Sequence, residues 1–115
     1  MPKIFWMSYN VKTIAVFERQ AKRLVKKYPS LKSELLELVQ LLKEVPQKQG
    51  TSLGNNCYKI RIAIAAKGKG KSGGARIITH LQISKSVVFL LSIYDKSEQT
   101  DITDIELSEL LKFVK

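Results

Sequence analysis

Lys59 and Arg61 stand two positions apart in the run Y-K-I-R-I, and Arg76 and His80 stand four apart in A-R-I-I-T-H. Tyr94 and Lys96 close a third run, S-V-V-F-L-L-S-I-Y-D-K. Strict alternation puts such polar residues on one face of a strand and the isoleucines and leucines on the other. Three of these strands side by side gather Lys59, Arg61, Arg76, His80 and Tyr94 on one outward patch. Lys96 falls just past the strand end. Fixed cations with a tyrosine and a histidine suit the chemistry of an RNA backbone. RNA supplies its own nucleophile, the 2′-hydroxyl. A cleaving protein must remove that proton, stabilise the extra charge on phosphorus and protonate the leaving 5′-oxygen. Cations stabilise the charge, and a tyrosine, lysine or histidine of shifted pKa moves protons. The same residues also describe a phosphate-binding face without catalysis. No carboxylate cluster accompanies them, so a mechanism without metal or cofactor is expected.

The stretch K-G-K-G-K-S-G-G-A-R, residues 67–76, precedes the second of these runs. It fits G-x-G-x-x-G at Gly68, Gly70 and Gly73, and its G-K-S resembles the end of a phosphate-binding P-loop. Both motifs need a helix to follow and present its N-terminus to phosphate. Here a strand follows, and Ala65 stands where a P-loop needs glycine. The stretch is therefore expected to be a mobile cationic hairpin tip. Lys67, Lys69 and Lys71 would contact RNA there, together with His80 and Asp95.

The elements that position these residues follow from periodicity. Ile4–Tyr9 reads as a short apolar strand. Ile14, Phe17, Ala21, Leu24, Val25 and Tyr28 recur at helical spacing, with Thr13 as N-cap and Pro29 as terminator. Leu31, Leu35, Leu38, Leu42 and Val45 make a second helix between Ser30, its expected cap, and Pro46. The two form a helical hairpin. Q-K-Q-G-T-S-L-G-N-N reads as loop. Three strands follow. Tyr58, Ile60, Ile62 and Ile64 are expected inward on the first. Ile77, Thr79, Leu81 and Ile83 are inward on the second, and Arg76, Ile78, His80 and Gln82 outward. On the third, Val87, Phe89, Leu91 and Ile93 are inward, and Ser92 and Tyr94 outward. T-D-I-E at 103–106 is a capping box for a last helix. The order is β-α-α-β-β-β-α, an α+β domain with a mainly antiparallel sheet and the hairpin on one face.

The chain has 115 residues, which fits a single domain over 1–115. One cysteine and one histidine exclude an intrachain disulfide and a zinc cluster. No secretion signal or membrane span is apparent, so a cytoplasmic protein without membrane contact is expected. The net charge of +10 is segregated. From Val45 to Tyr94 there are eight cations and no acid; from Asp95 onward there are six acids and three lysines. A segregated excess of this size points to a polyanionic partner.

The segments Y-K-I-R-I-A-I-A-A-K-G-K-G-K-S-G-G-A-R-I-I-T-H-L-Q and V-V-F-L-L-S-I-Y-D-K-S-E-Q-T-D-I, with the upstream K-Y-P-S-L-K-S-E-L-L-E-L-V-Q-L-L, resemble the RelE/ParE superfamily of bacterial type II toxins, most closely its RelE- and HigB-like members. The resemblance implies a fold like that of small microbial ribonucleases. It also implies a metal-free endoribonuclease that enters the ribosomal A site and cuts mRNA through 2′-hydroxyl attack. A cognate antitoxin protein would silence it, and operator DNA would be bound only through the toxin–antitoxin complex. By the same resemblance Lys59 and Arg61 match the paired cations of the RelE strand, and Arg76 its transition-state arginine. Lys96 stands where RelE has an arginine. Tyr94 and Asp95 match the tyrosine and aspartate at the end of the HigB strand. The catalytic set is thus Lys59, Arg61, Arg76, Tyr94 and Lys96, with Tyr94 or a lysine as the proton mover. RelE's C-terminal tyrosine has no counterpart near Ile102, and Lys96 replaces a HigB histidine. The alternatives are a non-enzymatic gyrase inhibitor, as in the ParE branch, and a degenerate toxin that only binds antitoxin or RNA.

Overall fold

The structure, a computed structural model, describes residues 9–114. Its elements are β1 (Asn10–Thr13), α1 (Ala15–Lys27), α2 (Leu31–Glu44), β2 (Thr51–Gly54), β3 (Cys57–Ile62), β4 (Ala75–Gln82), β5 (Val87–Asp95) and α3 (Asp104–Leu111). The five strands form one sheet in the order β1-β5-β4-β3-β2. Only the β1–β5 pair is parallel. The α+β class and the mainly antiparallel sheet agree with the periodicity.

Two strands differ from that reading. Of the expected strand at Ile4–Tyr9, residues 4–8 lie outside the described residues. The first strand seen is Asn10–Thr13, which follows Tyr9 and pairs with the start of β5. The second difference is β2, in a segment that reads as loop. It carries one apolar residue in four, too few for a period. Its pairing is set by a tight turn: Asn55 and Asn56 have φ of 52° and 58°. That geometry joins two antiparallel strands with the right twist, and Asn tolerates it.

The capping box is present: Thr103 Oγ1 accepts from the Glu106 N–H, and Glu106 Oε1 accepts from the Thr103 N–H, both at 3.1 Å. The other two expected caps are not. The N-cap of α1 is Ile14, in extended geometry. The Thr13 hydroxyl donates to Glu18 instead. Ser30 has helical dihedrals and makes no side-chain cap bond; the Lys32 N–H, which an N-cap side chain could accept, goes to the Pro29 carbonyl at 3.3 Å instead.

Phe17, Leu24, Leu31, Leu38 and Leu42 bring the helical hairpin onto Ile60, Ile62, Ile64, Ile77, Leu81 and Ile93 in one core. Each such side chain contributes about 1.5–3 kcal/mol by leaving water. All nine residues of β5 are buried. Ser92 and Tyr94 therefore do not face solvent as alternation suggests. The chain after β5 turns back over them, Leu107 of α3 joins the core, and Gln20 Oε1 accepts from both Ser92 Oγ and the Ile93 N–H at 3.0 Å.

A bulge corrects the alternation along β5. Ile78 is opposite Ser92, but the next residue, Thr79, is opposite Leu90. The extra residue, Leu91, reverses the facing of everything before it. Val88 and Leu90 consequently line up with the inward Leu81 and Thr79. Val87 and Phe89 stand opposite Gln82 and His80 instead. Ile83 is also not inward but 60 % exposed, because β4 ends at Gln82 and Ile83–Lys85 form the hairpin turn. Ile78 is fully buried although its neighbours predict an outward position.

Candidate active site

Register decides which side chains meet. Arg61 is opposite Arg76, and Arg76 is opposite Tyr94. The three form a row across β3, β4 and β5. Lys59, two residues along β3, shares their face, since facing has period two. The alternating pattern predicts this grouping, and register supplies it directly.

Arg61 is exposed, whereas Arg76 is 3 % exposed. The Arg76 guanidinium is aimed by the glycine stretch itself. Its Nη1 donates to the carbonyls of Lys71 at 2.8 Å and Ala75 at 3.2 Å, and its Nη2 donates to the Ser72 carbonyl at 3.3 Å. Burial, and then the neighbouring Arg61 charge, pull its pKa below the ordinary arginine value. Two guanidiniums in such proximity repel, and an anion between them relieves the repulsion.

Tyr94 is 4 % exposed. Burial first, and the Asp101 carboxylate second, push its phenol up to about 12, against the pull of Arg76. It therefore keeps its proton near neutrality. It can donate a hydrogen bond or a proton, but it is no base there. Lys59 is held by Asp101: its Nζ donates to Asp101 Oδ1 at 3.1 Å, and Tyr94 Oη reaches the same oxygen at 3.5 Å. Nothing in the spacing of Asp101 marks it as a member of this group. It lies in an acidic segment after the last strand, and only the path of the chain brings it over the face.

The glycine stretch is not a bare tip. It folds into two short 3₁₀ turns, Ala65–Lys67 and Lys71–Gly73, separated by Gly68 and Gly70 at φ of 66° and 64°. Gly74 packs against β3 so closely that a Cβ would come within 2.0 Å of the Ile62 carbonyl oxygen. Its own carbonyl accepts from the Lys96 N–H at 3.0 Å, which joins the end of the stretch to the chain after β5.

Lys67 and Asp95, expected to meet RNA, are bonded to each other instead. Lys67 Nζ lies 2.6 Å from Asp95 Oδ1, and Asp95 is fully buried. The same oxygen accepts from the Ser97 N–H at 3.0 Å and its hydroxyl at 2.8 Å; Tyr28 Oη donates to Oδ2 at 3.1 Å. Burial alone would raise the carboxyl pKa. The contacts from Lys67, Ser97 and Tyr28 outweigh it and hold the group well below the usual carboxylate range. Asp95 ends a strand with both faces covered, which is why it cannot reach a solvent ligand.

Lys69, Lys71 and Lys96 are exposed. Lys71 joins Lys59 and Arg61 on the wall of a cleft of about 380 Å³ between α2 and β3, where Glu34 and Glu37 form the helix side. His80 is set apart. It is opposite Cys57, four residues from Arg76, roughly 13 Å along the strand. Its Nδ1 lies 3.5 Å from Cys57 Sγ, and desolvation lowers its pKa. Burial pushes the Cys57 thiol up to about 11, which leaves it unreactive. Among the described residues no helix is long and apolar enough to cross a membrane.

The family model of the RelE toxin of the RelE/RelB toxin–antitoxin system matches residues 13–115. Among solved structures, an arginine-to-alanine double mutant of E. coli toxin RelE in the free state superposes with a TM-score of 0.60 at 20 % identity, over 95 % of this chain and 100 % of that one. The same mutant in complex with a peptide of the antitoxin RelBc gives 0.51 at 20 % identity, over the same shares. At this identity the structures establish a shared fold.

Proposed function

The chain belongs to the RelE toxin family, and from that premise we propose that it is a ribosome-dependent mRNA endonuclease, held inactive by a cognate antitoxin. The observation that carries the reading is the Arg61–Arg76–Tyr94 row, with Lys59 beside it. Two adjacent guanidiniums whose charges disfavour each other are a place prepared for a phosphodiester. The charge on a phosphorane is larger than on the ground-state diester, so fixed cations favour the transition state. Arg76, locked onto the carbonyls of Lys71 and Ser72, needs no reorganisation to serve it. Arg61 is free to close on the substrate. Tyr94 donates to a phosphate oxygen. Lys96, Lys69 and Lys71 supply exposed charge towards flanking RNA.

The partners follow from charge. The cationic face suits mRNA and ribosomal RNA, whose phosphates it would neutralise. It equally suits an antitoxin segment rich in Asp and Glu, which would cover Lys59 to Arg76 or displace α3. That the solved relative is held by an antitoxin peptide supports such a partner here.

Mapping of mRNA 5′ ends after induction tests the activity. Cuts within codons at the ribosomal A site are expected. They should vanish when the nucleotide 5′ to the cut carries a 2′-deoxyribose, because the nucleophile is then missing. Growth arrest without new 5′ ends, together with captured gyrase, would favour a non-enzymatic toxin instead.

A further inference from the structure

Removing a proton from a 2′-hydroxyl needs a group that arrives without one. Arg61 and Arg76 are guanidiniums, Lys59 is an ammonium in an ion pair, and Tyr94 is a phenol. His80 is directed at Cys57, away from the row. Among the described residues of this face, the carboxylate of Asp101 is the group in contact with Lys59 and Tyr94 that can accept a proton.

Its geometry suits that task. Oδ1 accepts from the Ile102 N–H at 2.8 Å and from Lys59 Nζ at 3.1 Å, and Tyr94 Oη approaches it at 3.5 Å. These contacts all fall on one oxygen and fix the carboxylate's orientation. Oδ2 is then the atom presented to a ligand, on a side chain 60 % exposed. An oriented carboxylate beside an ammonium places together the one base and the one acid that transfer from a 2′-hydroxyl requires.

We propose that Asp101 is the general base of the cleavage reaction, a role that rests on the ribonuclease reading above. Asp101 Oδ2 takes the 2′-hydroxyl proton as the 2′-oxygen bonds to phosphorus. The bond from phosphorus to the 5′-oxygen breaks, and Lys59 Nζ gives that oxygen a proton. The products are a 2′,3′-cyclic phosphate and a 5′-hydroxyl end. No redox change occurs, and exchange with solvent resets both groups. Arg61 and Arg76 hold the non-bridging oxygens. The charged and titratable groups facing Asp101 are Lys59 on β3, Arg76 on β4 and Tyr94 on β5, with Glu106 of α3 near Tyr94.

Single-turnover cleavage of mRNA on programmed ribosomes tests this, with the full chain at saturating concentration from pH 6 to 9. The wild type should show a flat profile. Asp101→Asn should slow cleavage about 10²–10⁴-fold. Its residual rate should climb about tenfold per pH unit, as hydroxide replaces the missing base. Asp101→Ala should regain rate in proportion to added formate, and Asp101→Glu should keep a flat, intermediate profile. A slower Asp101→Asn with an unchanged flat profile, and no formate rescue of Asp101→Ala, would make the residue merely structural and overturn the proposal. So would unimpaired Asp101→Asn. If the wild type fails to cut A-site mRNA, the ribonuclease reading falls together with this one. If the wild type cuts and only the Asp101 signatures are missing, this one falls alone.

Discussion

Residues 65–76 hold two groups of charges built on opposite plans. At one end, Lys67 meets Asp95 at 2.6 Å inside a shell of Tyr28 and Ser97, and every charge has a partner. At the other, Arg76 lies beside Arg61, and among the described residues neither meets a carboxylate at ion-pair distance. The difference separates holding from binding. A matched, buried pair has no reason to attract a further ion, so it anchors the loop. An unmatched pair of cations gains from an incoming phosphate. Charge of the same sign, nine residues apart, thus anchors the loop in one place and, on the proposed reading, binds phosphate in the other.

Breaking the matched pair should have the largest effect. Lys67→Ala leaves the Asp95 charge buried with hydroxyl and N–H donors only. It should cost about 3–5 kcal/mol, the range for removing one partner of a buried pair. Urea unfolding checks this, and a loss within the range of a surface pair would make the anchor an ordinary exposed contact. Breaking the unmatched pair should act on rate instead. Arg76→Ala should slow A-site cleavage about 10²–10³-fold, as for one transition-state donor. Arg61→Ala, which touches no loop carbonyl, should slow it with an unchanged urea midpoint. If the Arg61 variant lost stability and kept its rate, the comparison would be inverted.

The pH dependence of stability sharpens the same contrast. The folded pKa of Asp95 is depressed, so its contribution is present above the unfolded value of about 3.9 and is lost as pH falls below it. Asp95→Asn should flatten the acid side of the stability profile. Tyr94 has the opposite sign. Its folded pKa is raised to about 12, so its contribution stands at neutral pH and is lost as pH rises from the unfolded value towards that one. Tyr94→Phe should remove that alkaline loss. The smallest effect belongs to the exposed lysines. Replacing Lys69 and Lys71 by Ser should leave stability within about 0.5 kcal/mol. Plotted against log salt, ribosome binding should become shallower by about 0.7–0.9 for each phosphate that is no longer neutralised.

Much of the architecture is legible in the sequence because it rests on local pattern. Both helices of the hairpin and the capping box at Thr103 follow from spacing and end residues. The three long strands follow from their alternation with isoleucine and leucine. The short β2 is not legible: T-S-L-G has no period, and only the Asn55–Asn56 turn holds it against β3. The grouping of Lys59, Arg61, Arg76 and Tyr94 is legible from the same alternation. The facing of Val87 to Leu91 is not, since one extra residue at a bulge reverses it and leaves no mark in the pattern.

The sequence by itself determined that this domain is α+β, that residues 45–94 carry cations and no acid, and which of those cations alternate with apolar residues. These are properties of near neighbours, and the backbone's periods of 2 and 3.6 report them directly. Tertiary structure alone decided which charge each cation would meet. Lys67 finds Asp95 across 28 residues, and Lys59 finds Asp101 across 42. Whether a lysine anchors a loop or meets a phosphate depends on what stands within about 4 Å of its nitrogen. That distance is set by sheet register and by the return of the chain after β5, which no local period encodes.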